Sequence, residues 1–228
     1  MKLIPKTTAQ APDAKRISIP EMGIALSPPK LYLDFDVECR PLAWYAGDFV
    51  TKQPTAVAWQ FIGVDERPSV MVIGESDRSS KVLEEEADML LAFKEAYDRA
   101  DVVTGHYIKG FDLPTLQGAF MRLGLPLLDE KYAQDTKIDL MKVSGISQSQ
   151  ENLGAMFELE HPKIGMNTTK WGAGNMLLPH GIEATRERVV GDVEQHIELR
   201  AKMLRLGTLG PATLWKPGGS GSKPRYHA

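Results

Sequence analysis

The stretch Leu31-Tyr32-Leu33-Asp34-Phe35-Asp36-Val37-Glu38-Cys39 is the strongest constraint the chain carries. It begins as an apolar, β-prone run and fills with acids as it proceeds. Successive side chains of a strand point to opposite faces, so Asp34, Asp36 and Glu38 share one face while Phe35 and Val37 occupy the other. Carboxylates lined up on an otherwise apolar strand repel one another and lose solvation unless something positive holds them. A divalent cation is one answer, and an all-oxygen ligand set favours Mg²⁺ or Mn²⁺ over zinc. The plainer answer is a strand end whose acids sit in water.

Composition narrows the classes. A chain of 228 residues with 43% hydrophobic and 25% charged residues suits one ordinary globular domain, or two small ones. The single cysteine, Cys39, excludes an intramolecular disulfide and any cysteine-rich zinc site, which points to a reducing compartment. The sequence holds no apolar run of membrane-spanning length and no basic start leading into an apolar segment, so no membrane partner is expected and the cytoplasm is the expected location. The formal net charge of −3 is no general attractant for nucleic acid. Charge is nonetheless uneven. From Leu199 to Ala228 there is no Asp or Glu, whereas Arg200, Lys202, Arg205, Lys216, Lys223 and Arg225 are cationic. Such a tail can touch phosphates or simply aid solubility.

Residues 1–29 carry five prolines and little apolar periodicity, which predicts an extended N-terminal arm. Strands are predicted over 31–36, 55–63 and 70–73, with Arg40-Pro41 breaking the first and an aromatic connection (Trp44, Tyr45, Phe49) following it. Short links between them predict an antiparallel meander. Apolar spacing predicts a helix over 81–99, then a buried strand at 102–106 and a helix over 113–123 with Pro114 in its first turn and Gly124 at its end. Lys137–Met141 reads as a short strand or a helical turn, 151–157 as a short helix, and 161–179 as loop. A long helix covers 182–206, with Asp192 and His196 one turn apart on one face. Gly207 ends it, and 207–228 reads as a flexible basic tail. The order predicts an α/β fold whose mixed sheet starts antiparallel, continues parallel and is flanked by helices.

Two later acids join the opening pair. Phe35-Asp36-Val37-Glu38-Cys39 resembles the first exonuclease motif of family B DNA polymerases, Asp-x-Glu. Thr104-Gly105-His106-Tyr107-Ile108-Lys109-Gly110-Phe111-Asp112-Leu113-Pro114 resembles the second, and Val190-Gly191-Asp192-Val193-Glu194 the third, where an Asp lies on a late helix. Over residues 30–206 the chain therefore resembles the DnaQ-like (DEDD) 3′–5′ exonuclease superfamily on the RNase H-like fold. The resemblance implies that Asp36, Glu38, Asp112 and Asp192 are the catalytic acids and hold two Mg²⁺ or Mn²⁺ ions, with Asp36 bridging them. Two ions roughly 3.5–4 Å apart generate a nucleophile near neutral pH and relieve charge on the leaving oxygen. Without that context, Asp112 reads as a helix N-cap and Asp192 as an exposed helix acid.

The chain also departs from the family's pattern. In the superfamily a Tyr stands four residues before the last Asp, or a His five before it, and here those positions hold Arg188 and Glu187. Glu187 is a candidate base, Arg188 a candidate phosphate clamp, and His196 and His180 are further candidates. Tyr107 stands where the family usually has Asn, and its ring can stack on a base or pack in the core. Lys109 is placed for a phosphate, and Phe111 serves as a buried anchor for Asp112 or as a contact to a base. Asp34 lies outside the four and is expected to support the site or to pair with a Lys or Arg.

With no polymerase sequence following, the resemblance implies a free-standing metal-dependent nuclease acting on nucleic acid, most simply a 3′–5′ exonuclease on DNA. Proteins of DNA replication, repair or recombination are the partners such an activity implies. The same fold serves junction resolvases, which as makers of paired cuts are expected to be homodimers. A non-catalytic nucleic-acid-binding protein is the alternative from another class.

Overall fold

A computed structural model describes residues 29–45, 49–76 and 81–218. The predicted N-terminal arm up to residue 28 and the final basic residues Lys223 and Arg225 lie outside these. The described elements are β1 (Tyr32–Tyr45), β2 (Phe49–Phe61), β3 (Ser69–Val72), α1 (Val82–Arg99), β4 (Val102–Gly105) and α2 (Asp112–Leu123). They continue with β5 (Lys131–Asp135), α3 (Thr136–Leu140), α4 (Gln150–Phe157), α5 (Thr168–Asn175), α6 (Pro179–Arg205) and β6 (Thr213–Trp215). One sheet holds all six strands in the order β3-β2-β1-β4-β5-β6. β1–β2 and β2–β3 pair antiparallel, β1–β4 and β4–β5 parallel, and β5–β6 antiparallel. The predicted mixed α/β sheet flanked by helices is the observed architecture, and it is compatible with an RNase H-like fold.

Strand alternation sorts β1 cleanly. Leu33, Phe35 and Val37 enter the main core with Phe93 and Tyr97 of α1 and Leu116 and Phe120 of α2, and the rings of Phe35 and Phe93 stand 5.0 Å apart. Burying a side chain of that size stabilises by about 2–3 kcal/mol. The opposite face of the sheet meets α6, where Val189 and Val193 pack on Ala56 and Ala58 of β2. Asp34, Asp36 and Glu38 therefore look toward α6.

Helix α6 starts with Pro at its first position and ends with Lys202 and Arg205 in its last turn, both suited to those ends. Its Gly181 permits close packing of α5: a Cβ there would lie 2.2 Å from the backbone carbon of Ala173.

Three expectations need correction, and one left open is decided. Pro41 does not break β1, because register shifts between Glu38 and Cys39 and between Pro41 and Ala43 absorb it and the strand runs on to Tyr45, pairing with Phe49. Of the two readings left open for Lys137–Met141 the helical turn holds: Thr136–Leu140 forms the short helix α3, whose N-cap Asp135 accepts from the backbone N of Lys137 and Ile138. The span read as loop at 161–179 contains α5. The stretch read as tail from 207 contributes β6 against β5, and its Lys216 reaches Glu130 at 3.4 Å. Among the described residues no helix is long and apolar enough to cross a membrane.

Candidate metal centre

Asp36 and Glu38 on β1 and Asp192 on α6 present carboxylate oxygens that all lie within 4.8 Å of one another. Asp112 closes the group from the start of α2: its Oδ1 accepts from the backbone N of Val37, at 3.2 Å. That bond fastens Asp112 to the strand between the two β1 acids. It also replaces the N-cap role, since α2 has no side-chain cap. Three of the four acids named by sequence thus gather within 4.8 Å, and Asp112 is fastened to the strand that carries two of them.

Crowding shows in their protonation. Burial, then the charges of Asp192, Asp112 and Glu38, push Asp36 well above the usual carboxylate range. Burial raises Glu38 too, against the opposing pull of Arg188. Asp112 is pushed up to about 8, chiefly by burial. Left alone, such a cluster keeps protons at neutral pH, and a cation placed among the oxygens would expel them.

Two basic side chains already enter the cluster. Arg188 Nε donates to Glu38 Oε1 at 2.7 Å, its Nη2 lies 3.5 Å from Asp192 Oδ2, and its Nη1 donates to the carbonyl of Ile164 at 2.6 Å. The Trp171 ring of α5 backs the guanidinium at 5.5 Å. Lys163 Nζ stands 3.1 Å from Asp192 Oδ2 and donates to Gln150 Oε1. Four carboxylates against two cations leave two negative charges when all are ionised, the charge of one divalent ion. Asp192 Oδ1 is buried with no hydrogen-bond partner. An unpartnered oxygen amid three carboxylates fits a hard cation.

Other sequence candidates lie elsewhere. Glu187 is exposed on α6, and His180 is exposed in the first turn of that helix rather than in a loop. His196 is buried, with Nδ1 2.6 Å from Asp34 Oδ2 and Nε2 2.9 Å from Thr136 Oγ1. Asp34 therefore pairs with a histidine rather than a Lys or Arg, and the pair ties α6 to β1 beside the cluster.

Tyr107 adopts φ +76° and exposes its ring, which lies under the Lys137 ammonium at 4.1 Å and occupies the space a side chain at Gly110 would need. Lys109 Nζ donates to Thr213 Oγ1 at 2.6 Å, so β6 holds it. Phe111 is half-buried, with Lys52 Nζ 4.0 Å above its ring.

Sequence reading missed the organisers of this loop and of Asp192. Asp135 is buried at the end of β5 and accepts from the backbone N of Tyr107 and of Lys109, each at 3.0 Å, as well as capping α3. Lys163 is a lone cation in an irregular segment, and no local pattern marks it. The spacing of four between Arg188 and Asp192 was the available signal for their pairing.

No family model matches the chain, and no curated protein matches it by sequence. Among solved structures it is similar to the family B DNA polymerase from the hyperthermophilic archaeon Pyrobaculum calidifontis, with a TM-score of 0.55 and 19% identity. The match covers 79% of this chain and 25% of that one, so the chain aligns with a quarter of the polymerase. At this identity the likeness concerns the fold.

Proposed function

We propose that this chain is a divalent-metal-dependent nuclease that hydrolyses DNA phosphodiester bonds, removing nucleoside monophosphates from a 3′ end. One observation carries the reading: Asp36, Glu38 and Asp192 converge within 4.8 Å while Asp112 is fastened to the strand between the first two. The likeness to a DNA polymerase fold is compatible with it.

Asp36, Glu38 and Asp192 would hold one Mg²⁺ or Mn²⁺ ion, and Asp36 with Asp112 a second. When bound, such ions supply a nucleophile near neutral pH and neutralise charge on the phosphate and leaving oxygen. The residues of the chain do the positioning. Strand β1 and helices α2 and α6 fix the carboxylates on three packed elements, which is what a two-ion site requires of its scaffold. Arg188 orients Glu38 and Asp192, and its fork suits a non-bridging phosphate oxygen once substrate arrives. Lys163 orients Asp192 alone. Neither Glu187 nor His196 has a place in this scheme, because one is exposed and the other is committed to Asp34.

A second reading has its own observation. Arg188 and Lys163 sit where cations would, so the cluster could be permanently self-neutralised in a protein that binds nucleic acid without cutting it. The two are separated by incubating 5′-labelled single-stranded DNA with the wild type and Asp112→Ala in Mn²⁺. The nuclease yields a ladder shortening from the 3′ end that the variant does not. Intact DNA in both lanes supports the binding protein.

A further inference from the structure

Helix α6 lies over β1, β2 and β3 on the sheet face that carries the acids. Toward β5 it extends Arg200, whose Nε donates to Gln134 Oε1 at 2.9 Å. Beyond that residue the face opens. Tyr32, Val102, Tyr132 and Leu214 are register partners in one row across β1, β4, β5 and β6, at the end where the parallel strands begin. Their neighbours Leu33, Val103 and Ala133 enter the Phe35 core, so by strand alternation this row points the other way. Val102 is buried, whereas Tyr132 is 53% and Leu214 41% exposed. Parallel strands ordinarily have both faces covered. Since β5 has a strand on either side of it, its exposed ring marks a part of the sheet that the fold leaves open.

Cations gather at the rings of this row. The Arg200 guanidinium lies 4.5 Å from the Tyr32 ring, and Lys30 Nζ lies 5.9 Å from the Tyr132 ring. Two acids on the same edge are engaged: Asp101 accepts from the backbone N of Leu31 at 2.7 Å, and Glu130 pairs with Lys216 at 3.4 Å. The other flank of α6 differs. A cavity between it and β2 is lined by Glu66, Glu194 and Glu198 together with Arg67 and His161. Lysine is depleted where proteins meet one another, whereas rings interleaved with cations suit a polyanion that carries flat apolar groups. An unpaired nucleic-acid strand has that chemistry.

We propose that this ledge is a binding surface for single-stranded nucleic acid, separate from the acid cluster. A base stacks on Tyr132 with Leu214 beside it, and Lys30 takes the adjoining phosphate. Arg200, fixed by Tyr32 and Gln134, turns its remaining N–H groups to a second phosphate. Tyr32 precedes Asp36 by four residues, about 13 Å along the strand, and Tyr132 lies two strands further across the sheet. The ledge therefore holds a strand whether or not the cluster cuts it, and the proposal does not depend on the nuclease reading. Stacking on an aromatic ring is indifferent to sequence and requires an unstacked base, so a single strand is preferred to a duplex.

The test measures binding of 5′-fluorescein-labelled oligo(dT) by anisotropy in EDTA, for the wild type, Tyr132→Ala, Tyr132→Phe and Lys30→Glu. Both positions are exposed, so the variants retain the fold. Loss of one stacked base costs roughly five- to a hundredfold in affinity. Tyr132→Ala and Lys30→Glu are each expected to weaken binding at least fivefold, while Tyr132→Phe, which keeps a ring, binds as the wild type does. Absence of binding by the wild type, or wild-type affinity in both Tyr132→Ala and Lys30→Glu, overturns the proposal. A loss in Tyr132→Phe as large as that in Tyr132→Ala also overturns it, because stacking then has no part. Light scattering that shows a wild-type dimer and a Tyr132→Ala monomer of unchanged affinity assigns the ledge to a second copy of the chain instead.

Discussion

Nδ1 of His196 lies 2.6 Å from Oδ2 of Asp34, with both side chains buried. The contact is one end of a chain that continues through Thr136 to His106 Nδ1 at 3.0 Å and from His106 Nε2 to the carbonyl of Gln148 at 2.7 Å. That carbonyl can only accept, so His106 carries its proton on Nε2 and accepts from the Thr136 hydroxyl at Nδ1. The Thr136 hydroxyl also lies 3.4 Å from the Gly105 carbonyl, so it joins β4, α3 and α6. The His196–Asp34 contact holds β1, which carries Asp36, to α6, which carries Asp192.

Asp34→Ala leaves Nδ1 of the buried His196 without its carboxylate partner. Breaking a buried pair from one side costs about 3–5 kcal/mol, and for a domain of this size each kcal/mol lowers Tm by about 2–4 °C. A fall in Tm of roughly 6–20 °C is expected by circular dichroism. A shift below about 2 °C would show that the pair holds nothing.

The crowded acids make stability depend on pH in a direction opposite to that of a salt-bridged carboxylate. Burial raises Asp36, Glu38 and Asp112 in the folded state, Asp112 to about 8, so above the ordinary carboxylate range the folded chain binds more protons than the unfolded one. Stability contributed by the protonated cluster is therefore lost as pH rises toward 8. Buried His106, lowered to about 3, works the other way, but only below its ordinary value of 6.5. Between pH 6.5 and 8.5 the metal-free Tm is expected to fall, and added Mn²⁺ to raise Tm more at pH 8.5 than at 6.5. Differential scanning fluorimetry in EDTA and in Mn²⁺ measures both. A Tm that rises over this window in EDTA contradicts the account.

Arg188 competes with any ion for Glu38 and Asp192. A unit charge about 4 Å from another contributes a few kcal/mol at an effective dielectric of about 20. Arg188→Ala is thus expected to tighten Mn²⁺ binding by at least tenfold, about 1.4 kcal/mol, in a calorimetric titration. DNA cleavage should fall in the same variant, since the phosphate loses its fork. Weaker Mn²⁺ binding would mean that Arg188 assembles the site rather than opposing the ion.

The elements with strong periodicity were readable from sequence. The alternation in β1 put Phe35 and Val37 in the core and the acids opposite, and Pro114 and Gly124 bracketed α2 closely. What escaped was structure set by partners far along the chain. Strand β5 is short, with Lys131 and Gln134 in it, and has no apolar run to mark it; β4 and β6 make it a strand by pairing. Pro41 ends a strand in local terms, but the bulges of the β1–β2 hairpin accommodate it. The four acids were legible because their motifs are local. Lys163, held against Asp192 from an irregular segment, was not, because only the fold brings them together.

The central claim is that the four-acid cluster is a metal centre. Calorimetric titration of Mn²⁺ into the wild type and Asp36→Asn at pH 8 tests it most directly. The account predicts saturable binding by the wild type, with proton release, and its loss in the variant, because Asp36 faces every other acid in the cluster. Absence of binding by the wild type at millimolar Mn²⁺, or equal binding by the variant, would contradict it.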